Sequence, residues 1–251
     1  MRTIVLFFAF LSLGFILQDS GETVIFKHPD YVLKKYVIRT REFSTTLFVV
    51  IIEPKHVKAK IQGLTQRHSN GRTAVEVVRT GAKVVLGGGF VSSFYPLIPN
   101  GFLKIDGATI SALRAGGYNG VAGVNGGKLS LLRCSNESID KVYEGFQTGP
   151  FLVQGGSVVF RPSSEASYRA YNRAIVAINT NNKVVVAVTT EPVTLLQLAT
   201  FLSGTSNTDL KSKEVLNLAG GGSETLVVKG NNTVYTYGSF QDNQSALIAF
   251  Y

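Results

Sequence analysis

The run NLAGGGSETLVV, residues 217–228, carries an apolar segment into three consecutive glycines, then Ser223, Glu224 and a short β-branched segment. Glycine gives up more backbone freedom on folding than any other residue, so a triple glycine marks main chain that must turn sharply or approach another group closely. The design recurs. VVLGGGF (84–90) and FQTGPFLVQGG (146–156) also lead strand-like segments into glycines and small polar residues. Successive N–H groups in such turns can converge into an anion-binding nest, and Arg173 in YNRAIVAI adds a planar fork suited to phosphate or carboxylate. The alternative is that the glycines serve only tight turns and close packing.

Outward from these junctions the chain reads as strand-rich. It has 251 residues, 45% hydrophobic and 16% charged, with 26 glycines, which is the composition of a globular protein. Residues 32–62 read as strands closed in the middle by Pro54, and HVKAKIQGL alternates Val57, Ala59 and Ile61 on one face. A helix follows, with Thr73 and Glu76 at capping-box spacing and Gly81 as terminator. GFLKIDGATIS predicts a hairpin turned by Asp106-Gly107. Further strands are expected at 150–153, 157–160, 174–178 and 184–190, with NTNN (179–182) turning the last pair. The clearest helix is 194–203: Thr194 and Gln197 form a capping box, Val193 and Leu198 staple its entrance, and Gly204 ends it. TLVV, TVYTYG and ALIAFY supply closing strands, with KGNN as a turn. Residues 113–145 are glycine-rich and carry no clear periodicity. No repeat or linker divides residues 30–251, which read as one domain.

The first twenty residues stand apart. Arg2 precedes an apolar run from Ile4 to Leu17, too short for a comfortable bilayer span and suited to a signal-peptide core. Leu13-Gly14 and Ser20-Gly21 are the candidate cleavage points, and an uncleaved anchor is the alternative. Export normally permits disulfides, but Cys134 is the only cysteine, so no intrachain bridge can form. It reads as an incidental thiol. The net charge of +9 favours anionic partners. The basic residues are scattered, with no dense run or RNA-binding signature, which argues against nucleic acid. His28, His56 and His68 lack metal-ligand spacing, so no metal is expected. The glycines match neither a dinucleotide fingerprint nor a Walker loop, and no cofactor is expected. NES at 136, NNT at 231 and NQS at 243 are sequons that matter only in a eukaryotic secretory pathway.

VVLGGGF, NGFLKIDG, FQTGPFLVQGG, NRAIVAI, TLLQLATFL and NLAGGGSETL occur in the order found in the phosphodiester glycosidase family, which has the mannose 6-phosphate uncovering enzyme-type domain. The similarity spans roughly residues 35–251. It implies an α+β fold, a single domain with a mixed, strand-rich sheet core and a few short helices. It also implies a hydrolase cleaving sugar-1-phosphodiesters at the glycosidic bond, secreted or held at the cell envelope, with no stable membrane span once the signal is removed. Carried over by position, the substrate-binding residues are Gly88, Gly89 and Phe90, then Gln147 and Gly149, with Pro150 beside them. Arg173 matches the family arginine, and Asn217 with Gly220, Gly221, Gly222 and Ser223 matches the last motif. Two positions depart from the family: Gly87 stands where members carry Asn, and Ala219 where they carry Asp.

Cleavage of a glycosyl phosphodiester builds positive charge at the anomeric carbon, so a positioned carboxylate is valuable. Glu224, five residues beyond Ala219, and Glu144, just before GFQTGP, are the candidate catalytic acids. Each has a plain alternative, for Glu224 that of a solvent-facing strand residue. Asp106 is accounted for by its hairpin, and Ser223 by ordering the glycine loop. Two functions follow: a phosphodiester glycosidase-like hydrolase, weakened by the two losses, or a non-catalytic module that binds phosphorylated or acidic glycans.

Overall fold

A computed structural model describes residues 18–64, 72–116, 118–239 and 243–251; the signal-like run through Leu17 and His68 lie outside them. Among the described residues there are three larger sheets, a two-stranded ribbon and four short helices. The helices are α1 (Arg72–Arg79), α2 (Asn136–Asp140), α3 (Glu165–Tyr168) and α4 (Leu195–Gly204). Helix α1 starts at Arg72, so Thr73 lies inside its first turn rather than at the expected cap. Every strand pairing among the described residues is antiparallel, which corrects the expectation of a mixed sheet. Where successive strands pair, as Tyr31–Arg39 with Ser44–Ile52 and Ala174–Asn179 with Val184–Thr189, the short connections suit hairpins, whereas parallel pairs need long crossovers.

The eight-stranded sheet explains the long apolar runs. Along Val184–Thr189, Val184, Val186 and Val188 face one core, while Val185 and Ala187 face another. Ala174–Asn179 divides in the same way, with Ala174 and Val176 opposite Ile175 and Ala177. Side chains alternate across a strand, so a strand covered on both faces reads as continuously apolar. One face packs on both five-stranded sheets, which contribute Ile61, Leu86, Ile248, Ala122 and Phe146 to a shared core. The other is covered by α4 through Leu195, Leu198, Ala199, Phe201 and Leu202. The five-stranded sheet holding Ala59–Gly63, Val84–Gly87 and Ala246–Phe250 is the second sheet, and the one holding Gly120–Asn125 and Glu144–Thr148 is the third; helix α1 covers the far side of the second with Ala74, Val77 and Val78.

The expected hairpin forms between Leu103–Ile105 and Ala108–Ser111, with Asp106 and Gly107 at φ 48° and 79°. Residues 179–182 turn the Ala174–Asn179 and Val184–Thr189 pair, with Asn182 at φ 62°. Two strands, Gly120–Asn125 and Lys128–Arg133, lie within the stretch that lacked periodicity, and a third, Glu144–Thr148, begins at its end. The strand Gln18–Lys27 pairs with Tyr31–Arg39 and precedes the expected domain start at residue 30. The strand expected over 157–160 is limited to Ser157–Val158.

Candidate ligand-binding cavity

Three neighbouring strands of the large sheet bring the sequence motifs together. Ala174–Asn179, Ser212–Asn217 and Phe151–Gln154 lie side by side, with Ile175 opposite Asn217 and Leu216 opposite Phe151. In an antiparallel arrangement the start of the first strand, the end of the second and the start of the third fall on one edge. That edge therefore carries Arg173, Asn217 and the Gly149-Pro150 turn. A cavity of about 980 Å³ opens there, within the range of small-molecule sites.

Arg173 lies in its wall, only 9% exposed. Its Nε donates to Val193 O at 3.0 Å and its Nη2 to Arg169 O at 2.8 Å, while the guanidinium lies 5.1 Å from the Tyr171 ring centre. Burial pushes its pKa down from 12.5 to about 10, with Tyr171 opposing, so the group stays charged at neutral pH. No carboxylate pairs with it among the described residues. A buried charge without a counter-charge is costly, and an anionic guest would offset that cost.

Asn217, 4% exposed, donates from Nδ2 to Gly149 O at 2.9 Å, but its Oδ1 is buried without a hydrogen-bond partner among the described residues. An unpaired buried acceptor costs about 1–3 kcal/mol. Gly149, Gly220 and Gly221 complete this side, and Phe90 lines the cavity with Tyr118 stacked on it at 4.4 Å between centroids. Gly220 is required by close approach, since a Cβ there would lie 2.5 Å from Asn172 O.

The remaining sequence candidates lie off the lining. Gly88 N and Gly89 N both donate to Ala246 O, and a Cβ on either would collide with Phe146 or Ser245. Gly221 N donates to Asn172 O and Gly222 N to Glu224 Oε2. The amide hydrogens of Gly88, Gly89, Gly221 and Gly222 are therefore already bonded within the protein, which speaks against an anion nest built from these four. Gln147 makes four hydrogen bonds, accepting from Phe102 N and Arg114 N and donating to Arg114 O and Tyr118 O. Its amide is spent fixing the segment that carries Arg114. Ser223 is half-buried in the loop.

Both candidate acids are buried. Glu224 is 1% exposed, which corrects the solvent-facing alternative. Its carboxylate sits behind the glycine loop, accepting from Gly222 N at 2.9 Å and Asn172 Nδ2 at 3.4 Å. Glu144 accepts from Ile61 N at 2.7 Å, on the third-sheet strand that ends at Thr148. It is four residues from that end, which in a strand is about 13 Å. Burial raises its pKa, opposed chiefly by the Ile61 hydrogen bond.

The sequence reading missed Arg114, Arg161, Tyr118 and Tyr171, all of which line the cavity. The available signal was RAGGYNG, where an arginine and a tyrosine flank glycines within the stretch lacking periodicity. Among the described residues no group of three or more His, Cys, Asp or Glu could hold a metal ion. No helix among them is long and apolar enough to cross a membrane.

A family model for phosphodiester glycosidase matches residues 80–248. Among solved structures, the chain resembles the catalytic domain of zebrafish N-acetylglucosamine-1-phosphodiester α-N-acetylglucosaminidase, auto-inhibited by its pro-peptide. The TM-score is 0.65 at 16% identity, covering 92% of this chain and 87% of that one. It also resembles a hypothetical protein from Synechocystis, with a TM-score of 0.64 at 12% identity over 88% of this chain. This chain spans only 62% of the Synechocystis protein's length. At these identities the structural likeness speaks to fold. No curated protein matches by sequence.

Proposed function

This chain belongs to the phosphodiester glycosidase family, a family of hydrolases, and we propose that it binds a glycosyl phosphodiester in the Arg173 cavity and cleaves it slowly. The observation that carries the reading is Arg173 itself, a buried guanidinium at a cavity wall with no carboxylate paired to it among the described residues. A phosphodiester supplies the counter-charge, and its planar O–P–O edge suits a guanidinium fork.

Water attacking the anomeric carbon breaks the bond to the phosphate oxygen, releasing free sugar and a phosphate monoester. The phosphate leaves readily, so the main need is to activate water and stabilise the developing cation. Glu224 is the carboxylate assigned to that work, because it lies just behind the loop whose Gly220 and Gly221 line the cavity. With Gly87 and Ala219 in place of the family Asn and Asp, the rate is expected to fall by about 10²–10⁴ relative to a member that keeps them. The apolar run through Leu17 supports export to the secreted or envelope compartment.

A second reading, binding without turnover, is favoured by the absence of any Asp or Glu among the described lining residues. Incubation with a glucosyl-1-phosphodiester, assayed for free glucose beside Arg173→Ala and Glu224→Gln, separates the two. Release that both variants abolish supports hydrolysis. Calorimetric binding that Arg173→Ala weakens about 10- to 100-fold, without release, supports the binding module. If the native chain neither binds nor cleaves, both readings fail.

A further inference from the structure

The cavity carries more positive charge than one phosphodiester neutralises. Arg114, Arg161 and Arg173 all line it, and no Asp, Glu, Lys or His does so among the described residues. None of the three is ion-paired with a described residue. Arg173 is buried, whereas Arg114 and Arg161 are exposed.

The two exposed arginines are held by the protein. The main chain of Arg114 is fixed on both sides by the Gln147 amide, and its Nη1 donates to Asn100 Oδ1. Arg161 donates from Nη1 to Phe160 O at 3.0 Å and Val158 O at 3.3 Å. Each keeps guanidinium N–H groups beyond these bonds, because arginine has five donors. A phosphodiester bears a single negative charge, and Arg173 alone matches it. Two further cations then face the same space without an anion. The volume of about 980 Å³ is also at the upper end for small ligands, roomier than a single sugar phosphate needs.

We propose that the natural ligand is a glycosyl phosphodiester carrying a second anionic group, which Arg114 and Arg161 bind while Arg173 holds the first. The second group is either another phosphate in a diphosphate linkage or a carboxylate on a sugar. This rests on the Arg173 cavity being the ligand site. The exposed pair selects among anionic glycosides, and the buried arginine anchors all of them.

Calorimetry with three probes tests the proposal: methyl glucosyl phosphate with one charge, methyl glucuronosyl phosphate with an added carboxylate, and uridine diphosphoglucose with two phosphates. At least one doubly charged probe is expected to bind about tenfold more tightly than the singly charged one, with a steeper fall in affinity on adding salt. The probe that gains identifies the second group. In an Arg114→Gln/Arg161→Gln variant, both classes of probe are expected to bind alike; a thermal melt matching the native protein's verifies its fold. Equal affinity for all three in the native protein, with Arg173→Ala weakening each, overturns the second-anion claim and leaves the Arg173 site standing. Binding of none overturns both.

Discussion

A Cβ placed on Gly87 would lie 2.1 Å from Gln244 Oε1, so the space beside this glycine is filled by the glutamine amide. Gln244 is 0% exposed, and neither its Oε1 nor its Nε2 has a hydrogen-bond partner among the described residues. Restoring the family residue at position 87 therefore meets a side chain, not a void. Gly87→Asn is expected to destabilise the protein by about 1–3 kcal/mol through overpacking, read from urea unfolding. Gly87→Asn with Gln244→Ala should recover much of that loss. A double variant no more stable than the single one would show that Gln244 is not what blocks the site. The departure at 87 was visible in the sequence. Its occupant was not, because residues 157 positions apart become neighbours only when the strand Val84–Gly87 pairs with Ala246–Phe250.

Helix α4 shows how far local chemistry reaches. Thr194 Oγ1 accepts from Gln197 N at 3.2 Å, and Gln197 Oε1 accepts from Thr194 N at 3.0 Å, the reciprocal cap expected from their spacing. The helix covers one face of the large sheet, and Leu195 in its first turn lines the cavity. Thr194→Ala is expected to cost about 1 kcal/mol of stability, seen as a lower urea midpoint at unchanged m-value. The strands at 120–133 were illegible for a contrary reason. Gly120 and Gly123 are not turn residues: a Cβ at either would lie 2.3 Å from Leu216 or Val142. Glycines kept for close approach within strands give the same sequence signal as glycines kept for turns.

Across the molecule, Glu144 ties the third sheet to the second by accepting from Ile61 N. Burial raises its pKa above the ordinary 4.5, so the folded state takes up its proton more readily than the unfolded chain. Its stabilising contribution is fully present below the unfolded value and is lost as pH rises through the folded one. Glu144→Gln keeps an acceptor for Ile61 and removes the buried charge. The variant is expected to be more stable than the native protein at pH 7, with the difference shrinking as pH falls toward about 4.5 and constant below it. Urea titrations from pH 4 to 8 check this, and a pH-independent difference would contradict it.

The sequence by itself determined the strand-rich class, helix α4 and its cap, the Asp106-Gly107 hairpin and the family motifs, because each rests on residues a few positions apart. Only the tertiary structure decided which motif residues face the cavity. Amide hydrogens that look free in a glycine run are taken by strands arriving from elsewhere, as Ala246 O takes those of Gly88 and Gly89. Conversely, Arg161 carries no local mark of function, and Arg114 only the glycines and tyrosine beside it in RAGGYNG. They join Arg173 at one cavity through the packing of strands and loops, a juxtaposition that depends on chain crossings rather than on sequence neighbours.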